Sequence, residues 1–139
     1  MKQATRHITV STRGKGLYNC TSQIAGWLRS QEIVTGLLTI FIQHTSASLA
    51  IQENADPDVV LDLKDFFERL VREDERWYRH TLEGADDMTS HIRSALTQTQ
   101  LTIPVESKRL SLGTWQGIYV FEHRKIPHTR TVVLHVIGE

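Results

Sequence analysis

The chain has 139 residues, with 16 Lys and Arg against 16 Asp and Glu and a formal net charge of zero. This length predicts a single domain over residues 1–139, and the balanced charge argues against a nucleic-acid partner bound through counterion release. One cysteine, Cys20, excludes an internal disulfide and suits a reducing compartment, and no apolar run reaches the ~20 residues that span a bilayer. We therefore expect a cytoplasmic protein with no nucleic-acid and no membrane partner.

The first part of the chain predicts two strands and a helix between them. Lys2 to Ser11 alternates apolar and polar residues like a strand, and Thr12 to Gly16 predicts a loop. A helix is expected from Asn19 or Thr21 to about Gln31. The short apolar run from Leu37 to Ile42 predicts a buried central strand. It leads into His44-Thr45-Ser46-Ala47-Ser48, and polar groups at the end of a rigid strand are well placed for a binding site.

Strand-like alternation resumes at Leu49, and it does not decide whether Glu53 is buried or exposed. Glu53 falls in the inward phase, where a buried carboxylate would need a metal, an Arg or backbone N–H groups as its partner. If the strand ends at Gln52, Glu53 is simply exposed. Asp56-Pro57 then predicts a helix start, with an N-cap followed by Pro at the first helical position. The expected apolar stripe of this helix is Val59, Leu63, Phe66, Phe67 and Leu70.

The stretch from Tyr78 to His91 concentrates groups that bind metals or move protons. These groups are His80, Glu83, Asp86, Asp87 and His91. A helix is expected from Asp86, as N-cap, to about Thr97. Its apolar stripe is expected to be Met88, Ile92, Ala95 and Leu96. Asp87 and His91 are four residues apart and share a helix face, which suits a transition metal or an acid–base pair. A capped surface helix with solvated side chains is the alternative.

The last part of the chain predicts antiparallel strands joined by short connections. Strands are expected at residues 101–105, 110–112, 118–123 and 131–137, separated by turns. The turn from Gly113 to Gly117 would allow the backbone to approach a ligand closely. The element order predicts an α+β fold, with a sheet or two sheets covered by the helices.

Four long segments resemble the YjbQ family, described as secondary thiamine-phosphate synthase-like proteins. They are His44 to Leu49, Glu53 to Pro57, Glu83 to Met88 with His91-Ile92, and Gly113 to Tyr119 with Glu122-His123-Arg124. The terminal Gly138-Glu139 also matches. Thr89 stands where the family usually has Pro, and Ser107-Lys108 replaces a usual Gly. Neither departure removes a titratable group.

The resemblance implies one YjbQ-like domain, a compact α+β unit with mixed, largely antiparallel sheets, a sandwich-like core and about three helices. It also implies a homotrimer with sites near subunit boundaries. A divalent metal, often zinc, should be held by histidines among those matched, and magnesium could arrive with the substrate. The expected activity joins an aminopyrimidine diphosphate to a thiazole phosphate, giving thiamine phosphate and pyrophosphate.

We therefore expect His44, His80 and His91 to converge on one divalent metal, with His123 close by as the other candidate for third ligand. A site within one subunit and a site between two subunits are both open at this point.

The remaining matched groups are assigned to catalysis or substrate. Asp87, Glu53, His123 and Arg124 are the candidate catalytic residues. The hydroxyls of Thr45, Ser46 and Thr114 could hold phosphate oxygens, and Arg124 could offset the charge of a leaving pyrophosphate. The candidate substrate-binding residues are Thr45, Ser46, Thr114, Gln116 and Arg124.

Two alternatives to the transferase stay open. One is a metal-dependent hydrolase of a phosphorylated small molecule, in which Asp87 or Glu53 would be the base for a metal-bound water. The other is a protein that binds a metal or small ligand without catalysis. An open metal position in a cleft favours an enzyme, whereas a closed four-ligand site favours structure or binding.

Overall fold

The computed structural model describes residues 1–139 and contains eight strands and three helices. The strands are β1 (Lys2–Thr12), β2 (Gly16–Asn19), β3 (Gly36–Ile42), β4 (Ala47–Glu53), β5 (Gln100–Glu106), β6 (Arg109–Leu110), β7 (Gln116–Glu122) and β8 (His128–Gly138). The helices are α1 (Thr21–Arg29), α2 (Pro57–Leu70) and α3 (Asp87–Leu96). None of the three helices has the length and apolarity needed to cross a membrane.

The strands form two sheets in which every pairing is antiparallel. The larger sheet has the order β1-β8-β3-β5-β6, and the smaller has the order β2-β7-β4. The longest ladder joins the two ends of the chain, from Lys2 opposite Gly138 to Thr12 opposite His128. The expected α+β fold with antiparallel sheets is confirmed.

One apolar core of 17 buried residues is shared by both sheets and α1. Alternate residues of β8 supply Val132, Leu134 and Val136, while Ile24 and Leu28 enter from α1. Each fully buried side chain of this kind stabilises the fold by about 1.5–3 kcal/mol relative to an exposed one. This core fixes the strand ends from which the polar site residues project.

Strand β2 was not predicted, and it begins at Gly16, the last residue of the expected loop. Its residues pair with β7 from Gly16 opposite Glu122 to Asn19 opposite Tyr119. Only the stretch before it is loop, where Gly14 has a φ of +134° that favours glycine. A four-residue strand between a glycine turn and a helix carries too little alternation to be recognised, because its partner strand lies about a hundred residues away in sequence.

Helix α2 begins as expected, but part of its expected apolar stripe does not face the core. The side chain of Asp56 accepts a hydrogen bond from the Asp58 N–H at 2.9 Å, as an N-cap does. Phe67 packs edge-to-face on Phe121 with ring centroids 5.3 Å apart. Phe66 and Leu70 are 55% and 54% exposed, so these two members of the expected stripe face away from the domain.

Helix α3 buries a polar face, so the expected apolar stripe was wrong. Ala95 and Leu96 are exposed, and Met88 and Ile92 are only partly buried. The buried residues are Asp87, Thr89, Ser90, Arg93 and Ser94. The helix packs against β4, and most of its buried side chains have polar partners, although Nε of Arg93 and Oγ of Ser94 have none. Arg93, for example, donates from Nη2 to the Val71 carbonyl at 2.7 Å.

Candidate metal centre

Helix α3 and the segment before it bring two histidines onto one carboxylate. Oδ2 of Asp87 lies 2.5 Å from Nε2 of His80 and 3.1 Å from Nε2 of His91. One ligand atom from each residue lies within 4.8 Å of the other two. We refer to His80, Asp87 and His91 as the His–Asp–His cluster. His80 and His91 thus lie close together, and both contact the carboxylate of Asp87.

The second ring nitrogen of His91 is held by the loop between β3 and β4. Its Nδ1 lies 2.8 Å from the carbonyl oxygen of Thr45, so Nδ1 carries the proton and donates it. In a neutral His91, Nε2 therefore presents a lone pair to the Asp87 carboxylate. Two acceptors at this distance need a cation between them, either a proton or a metal ion. A backbone carbonyl that orients the far side of the ring is the usual support of a metal-binding histidine.

Arg124 holds the carboxylates at the start of α3. Its Nη1 donates to Oδ1 of Asp87 at 2.6 Å, and its Nε donates to Oδ2 of Asp86 at 3.0 Å. Nη2 donates to the Glu83 carbonyl at 3.1 Å, where Gly84 turns the chain with a φ of +104°. All three nitrogens are thus used within the protein. Arg124, expected to bind a substrate anion, is placed to orient Asp87 instead.

The same contact explains why Asp86 does not cap α3 with its side chain. Oδ2 of Asp86 accepts from Arg124 and from the backbone N–H of Lys125 at 2.9 Å, and no side-chain cap bond forms. Asp86 is at the expected N-cap position, but its side chain does not make the expected capping hydrogen bond. The cationic Arg124 is a stronger donor to the carboxylate than a neutral backbone N–H of the first helical turn.

Both carboxylates are ionised at neutral pH despite their burial. Burial alone would raise the pKa of Asp87, but the His80 hydrogen bond and the Arg124 charge outweigh it and lower that pKa below its ordinary value. Burial likewise opposes ionisation of Asp86, while hydrogen bonds from Lys125 and Arg124 lower its pKa. An ionised carboxylate is the form that binds a metal ion.

The His–Asp–His cluster is open to solvent on the histidine side. The side chains of His80 and His91 are 40% and 33% exposed, whereas that of Asp87 is 3% exposed. A cavity of about 480 Å³, lined by residues 77–80 and Met88, opens beside His80. A second, larger one of about 630 Å³ is lined by residues 41–46 and Thr99. We call it the Thr45 groove, and Thr45 connects it to His91.

His44 does not join the cluster within one chain, so of the two open alternatives only a site between subunits would bring it to the metal. Its Nε2 accepts the backbone N–H of Thr131 at 2.8 Å, and its Nδ1 lies 3.4 Å from Nη1 of Arg130. The N–H of Thr131 in β8 therefore takes the lone pair that a metal would need. Burial and the Arg130 charge lower the pKa of His44, which keeps the ring neutral.

His123 is also separate from the cluster. It is buried, and its Nε2 lies 2.9 Å from the Ser48 hydroxyl, which accepts from the Thr97 hydroxyl at 2.6 Å. Burial and the positive charge of Arg93 lower the pKa of His123 to about 3. His123 has no open face toward a substrate, so its contacts give it a packing role rather than the expected catalytic or ligand role in a single chain.

Glu53, Thr114 and Gln116 lie at the far end of the smaller sheet. Glu53 pairs with Gln116 at one end of the β4–β7 ladder, and Ala47 pairs with Glu122 at the other. The seven residues of β4 place these ends roughly 20 Å apart. Glu53 is partly buried and accepts the Asp56 N–H at 3.2 Å, while Gln116 accepts the Gly113 N–H at 2.7 Å. A single chain does not bring these residues to the cluster.

A buried ion pair that sequence reasoning missed connects the two sheets beneath the site. Glu122 of β7 and Arg130 of β8 are joined by Nε–Oε1 and Nη2–Oε2 contacts of 2.8 and 2.5 Å. Oε2 also accepts the backbone N–H groups of His123 and Arg124. Burial would raise the pKa of Glu122, but the Arg130 and Thr12 contacts lower it below its ordinary value.

The alternation of buried and exposed positions along β7 and β8 could have revealed this ion pair. Arg130 stands in the same phase as Val132 and Leu134, and Glu122 stands in the phase of Ile118 and Val120. Charged residues in the buried phase of two consecutive strands need each other as partners.

Residues 6–139 match the model of the family described as UPF0047 protein YjbQ-like. A UPF0047 protein of Synechocystis is 54% identical over 138 residues, covering 99% of this chain and 94% of that protein. The UPF0047 protein YjbQ of Escherichia coli O157:H7 is 42% identical over 133 residues, covering 95% and 96%.

Solved structures show the same fold. A YjbQ/UPF0047 family protein of Clostridium acetobutylicum superposes with a TM-score of 0.87 at 29% identity, covering 95% of this chain and 99% of that one. A conserved hypothetical protein of Thermus thermophilus gives a TM-score of 0.82 at 34% identity, covering 92% and 97%.

Proposed function

The chain belongs to the YjbQ-like UPF0047 family, and we propose that it is a metal-dependent enzyme acting on a small phosphorylated molecule. The observation that carries this proposal is the His–Asp–His cluster, whose ligand atoms lie within 4.8 Å of one another beside an open groove.

The donor set supports zinc as the metal. Two neutral imidazoles and one carboxylate are the ligands of many catalytic zinc sites, which leave the remaining position for water or substrate. Magnesium prefers oxygen ligands throughout and suits this set less well. When bound, zinc would supply positive charge that stabilises a developing anion on the substrate. His80, Asp87 and His91 would hold it.

The surrounding residues position these ligands. The Thr45 carbonyl fixes the ring of His91, and Arg124 fixes the carboxylate of Asp87. Glu122 in turn accepts the backbone N–H of Arg124 at 3.2 Å. A cluster supported in this way is pre-organised, so little reorganisation opposes binding or catalysis.

The reaction proposed, on the basis of the family resemblance, is a thiamine-phosphate synthase-like transfer. The thiazole nitrogen forms a bond to the methylene carbon of the aminopyrimidine diphosphate, the carbon–oxygen bond breaks, and pyrophosphate leaves with the electron pair. This displacement needs no nucleophile from the protein. The protein's part is to bind the two substrates together and to stabilise charge on the departing pyrophosphate.

Hydrolysis is the less well supported alternative. It would need a carboxylate free to accept a proton from water. Asp87 is engaged by His80, His91 and Arg124, and Glu53 lies at the other end of the β4–β7 ladder. A purely structural metal site is also less well supported, because the two histidines are partly exposed rather than closed off.

We further propose a cytoplasmic homotrimer. The outer face of α2 supports an assembly, because Leu61, Phe66 and Leu70 are each more than half exposed there and would be covered by a neighbour. Glu53, Thr114 and Gln116 would join the His–Asp–His cluster only if a neighbouring subunit supplied them. A free, buried Cys20 is compatible with a reducing compartment.

The test is turnover of a panel of phosphorylated substrates, including the thiamine precursors, by zinc-loaded and chelated protein. Asp87→Asn removes a ligand charge, and His7→Ala serves as the control because His7 is exposed on β1. The proposal expects zinc-dependent turnover that Asp87→Asn abolishes and His7→Ala retains. Equal turnover by zinc-loaded and chelated protein would contradict it.

A further inference from the structure

His44 and Arg130 point two hydrogen-bond donors at each other. Because Nε2 of His44 accepts the Thr131 N–H, the proton of the neutral ring is on Nδ1. That Nδ1–H faces Nη1 of Arg130 at 3.4 Å, and Arg130 Nη1 has no other partner. Two donors cannot satisfy each other, so the pair requires an acceptor that contacts both.

Arg130 cannot turn away from this arrangement. Its Nε and Nη2 are fixed by Glu122, and Nη2 also donates to the Ser46 carbonyl and hydroxyl at 3.2 and 3.0 Å. The residue is 3% exposed, so its remaining donor edge is rigid and shielded from bulk water. A donor held in this way interacts more strongly with an anion than one on a mobile surface side chain.

His44, Thr45 and Ser46 line the Thr45 groove, and Arg130 lies directly behind His44 and Ser46. The hydroxyl of Ser46 accepts from Arg130, which leaves its own proton free to be donated. The Thr45 hydroxyl is exposed and has no partner within the protein. His44, Thr45 and Ser46 also form no backbone N–H hydrogen bond within the protein. The Thr45 groove therefore offers several donors and no free carboxylate.

We propose that the Thr45 groove is a phosphoryl-binding subsite, with His44 Nδ1–H and Arg130 Nη1–H as its inner donors. A tetrahedral phosphoryl group has several oxygens and can accept from these two and from the hydroxyls at once. Glu122 already offsets the charge of Arg130, so directed hydrogen bonds rather than net charge select the ligand.

This inference deepens the proposed function and depends on it for the identity of the substrate. It places the phosphoryl group of the substrate in the groove that Thr45 joins to His91, next to the His–Asp–His cluster. It also gives Arg130 the anion-binding role that was expected of Arg124. His44 then serves the substrate rather than the metal.

The test is a titration of metal-free protein with inorganic phosphate, followed through the imidazole ¹⁵N signals. The proposal expects a saturable shift of the His44 signals with no change at His7. The dissociation constant should rise at least about tenfold in His44→Phe, which keeps a flat ring but removes a donor to a charged group. His7→Phe is the matched control, and acetate, which is planar, should compete weakly.

A second variant and a zinc measurement separate this site from the metal site. Arg130→Lys keeps the charge near Glu122 and removes Nη1, and it should also weaken phosphate binding once its melting temperature shows that it folds. The zinc content of His44→Phe should equal that of the parent, because His44 lies outside the His–Asp–His cluster. Unchanged phosphate affinity in a folded His44→Phe would overturn the subsite.

Discussion

Nε2 of His91 lies 3.1 Å from Oδ2 of Asp87, one helical turn earlier in α3. The other ring nitrogen of His91 already donates to the Thr45 carbonyl. In a neutral ring, Nε2 and the Asp87 oxygen are therefore both acceptors, and a proton or a metal ion has to lie between them. His80 brings a third acceptor or donor to the same oxygen at 2.5 Å. This local arrangement is the physical basis for the metal site proposed at the start of α3.

Arg124→Lys should weaken metal binding without unfolding the protein. Lysine keeps the positive charge but loses the fork that reaches Asp86 and Asp87 together. Removing such a supporting contact typically costs about 10- to 100-fold in metal affinity. Competition with a chromogenic zinc chelator measures the change, and Arg109→Lys, at an exposed position, is the control. Identical zinc affinity in the two variants would show that Arg124 does not support the site.

Glu122→Gln should destabilise the fold strongly at neutral pH. The substitution leaves Arg130 buried without its counter-charge, and such losses cost about 3–5 kcal/mol. Urea unfolding at pH 7 measures it, with the exposed Glu106→Gln as control. A loss as small as that of the control would mean that water replaces the ion pair.

The sign of the pH effect at Glu122 follows from its lowered pKa. Its ionised form is favoured in the folded state, so its contribution to stability is present above its ordinary pKa of 4.5 and is lost as the pH falls toward the lower folded value. Glu122→Gln should therefore unfold with a shallower acid dependence below about pH 4.5 than the parent protein. A parallel acid profile for the two would contradict the lowered pKa.

His123 should make the fold less stable as the pH falls below 6.5. Its pKa drops from 6.5 to about 3 in the folded state, so the unfolded chain takes up a proton that the folded chain refuses. Stability should fall by at most about 1.4 kcal/mol per pH unit across this window, and it is unaffected above it. His123→Gln removes the titrating group, so its unfolding free energy should change less between pH 7 and about pH 5. Equal slopes for parent and variant would show that His123 protonates freely in the fold.

The outer face of α2 should be an interface between subunits. Sedimentation equilibrium at micromolar concentration is expected to give a trimer for the parent protein. Phe66→Ser places a polar group on the exposed position and should shift the equilibrium toward monomer, while Thr5→Ser on β1 should not. A monomeric parent protein would contradict the assembly.

The sequence could predict most of the fold because apolar alternation is strong where the core is large. It placed the bounds of β3, α2 and β8 within a few residues, and the start of α2 at Asp56-Pro57 was right because the cap is a local interaction. It failed at β2, which exists only through pairing with β7. It also predicted the wrong buried face of α3. The side chains that α3 buries are its own polar ones, and the local apolar pattern does not reveal this.

The candidate site could be predicted in part for the same reason. Asp87 and His91 are four residues apart on a helix, so local spacing was sufficient, and His80 lies close in sequence. Within one chain His44 lies apart from the cluster because it accepts the N–H of Thr131, which is 87 residues away. This contact depends on the pairing of β3 with β8, and strand periodicity does not say which strands pair.

Zinc content is the most direct test of the His–Asp–His cluster. Elemental analysis of purified protein after zinc loading and dialysis should give one zinc per chain for the parent and for His44→Ala and His7→Ala. His80→Ala, Asp87→Asn and His91→Ala should each lose most of it while remaining folded by circular dichroism. If His80→Ala, Asp87→Asn and His91→Ala all retain the parent zinc content, or if the parent binds none, there is no metal site at the start of α3.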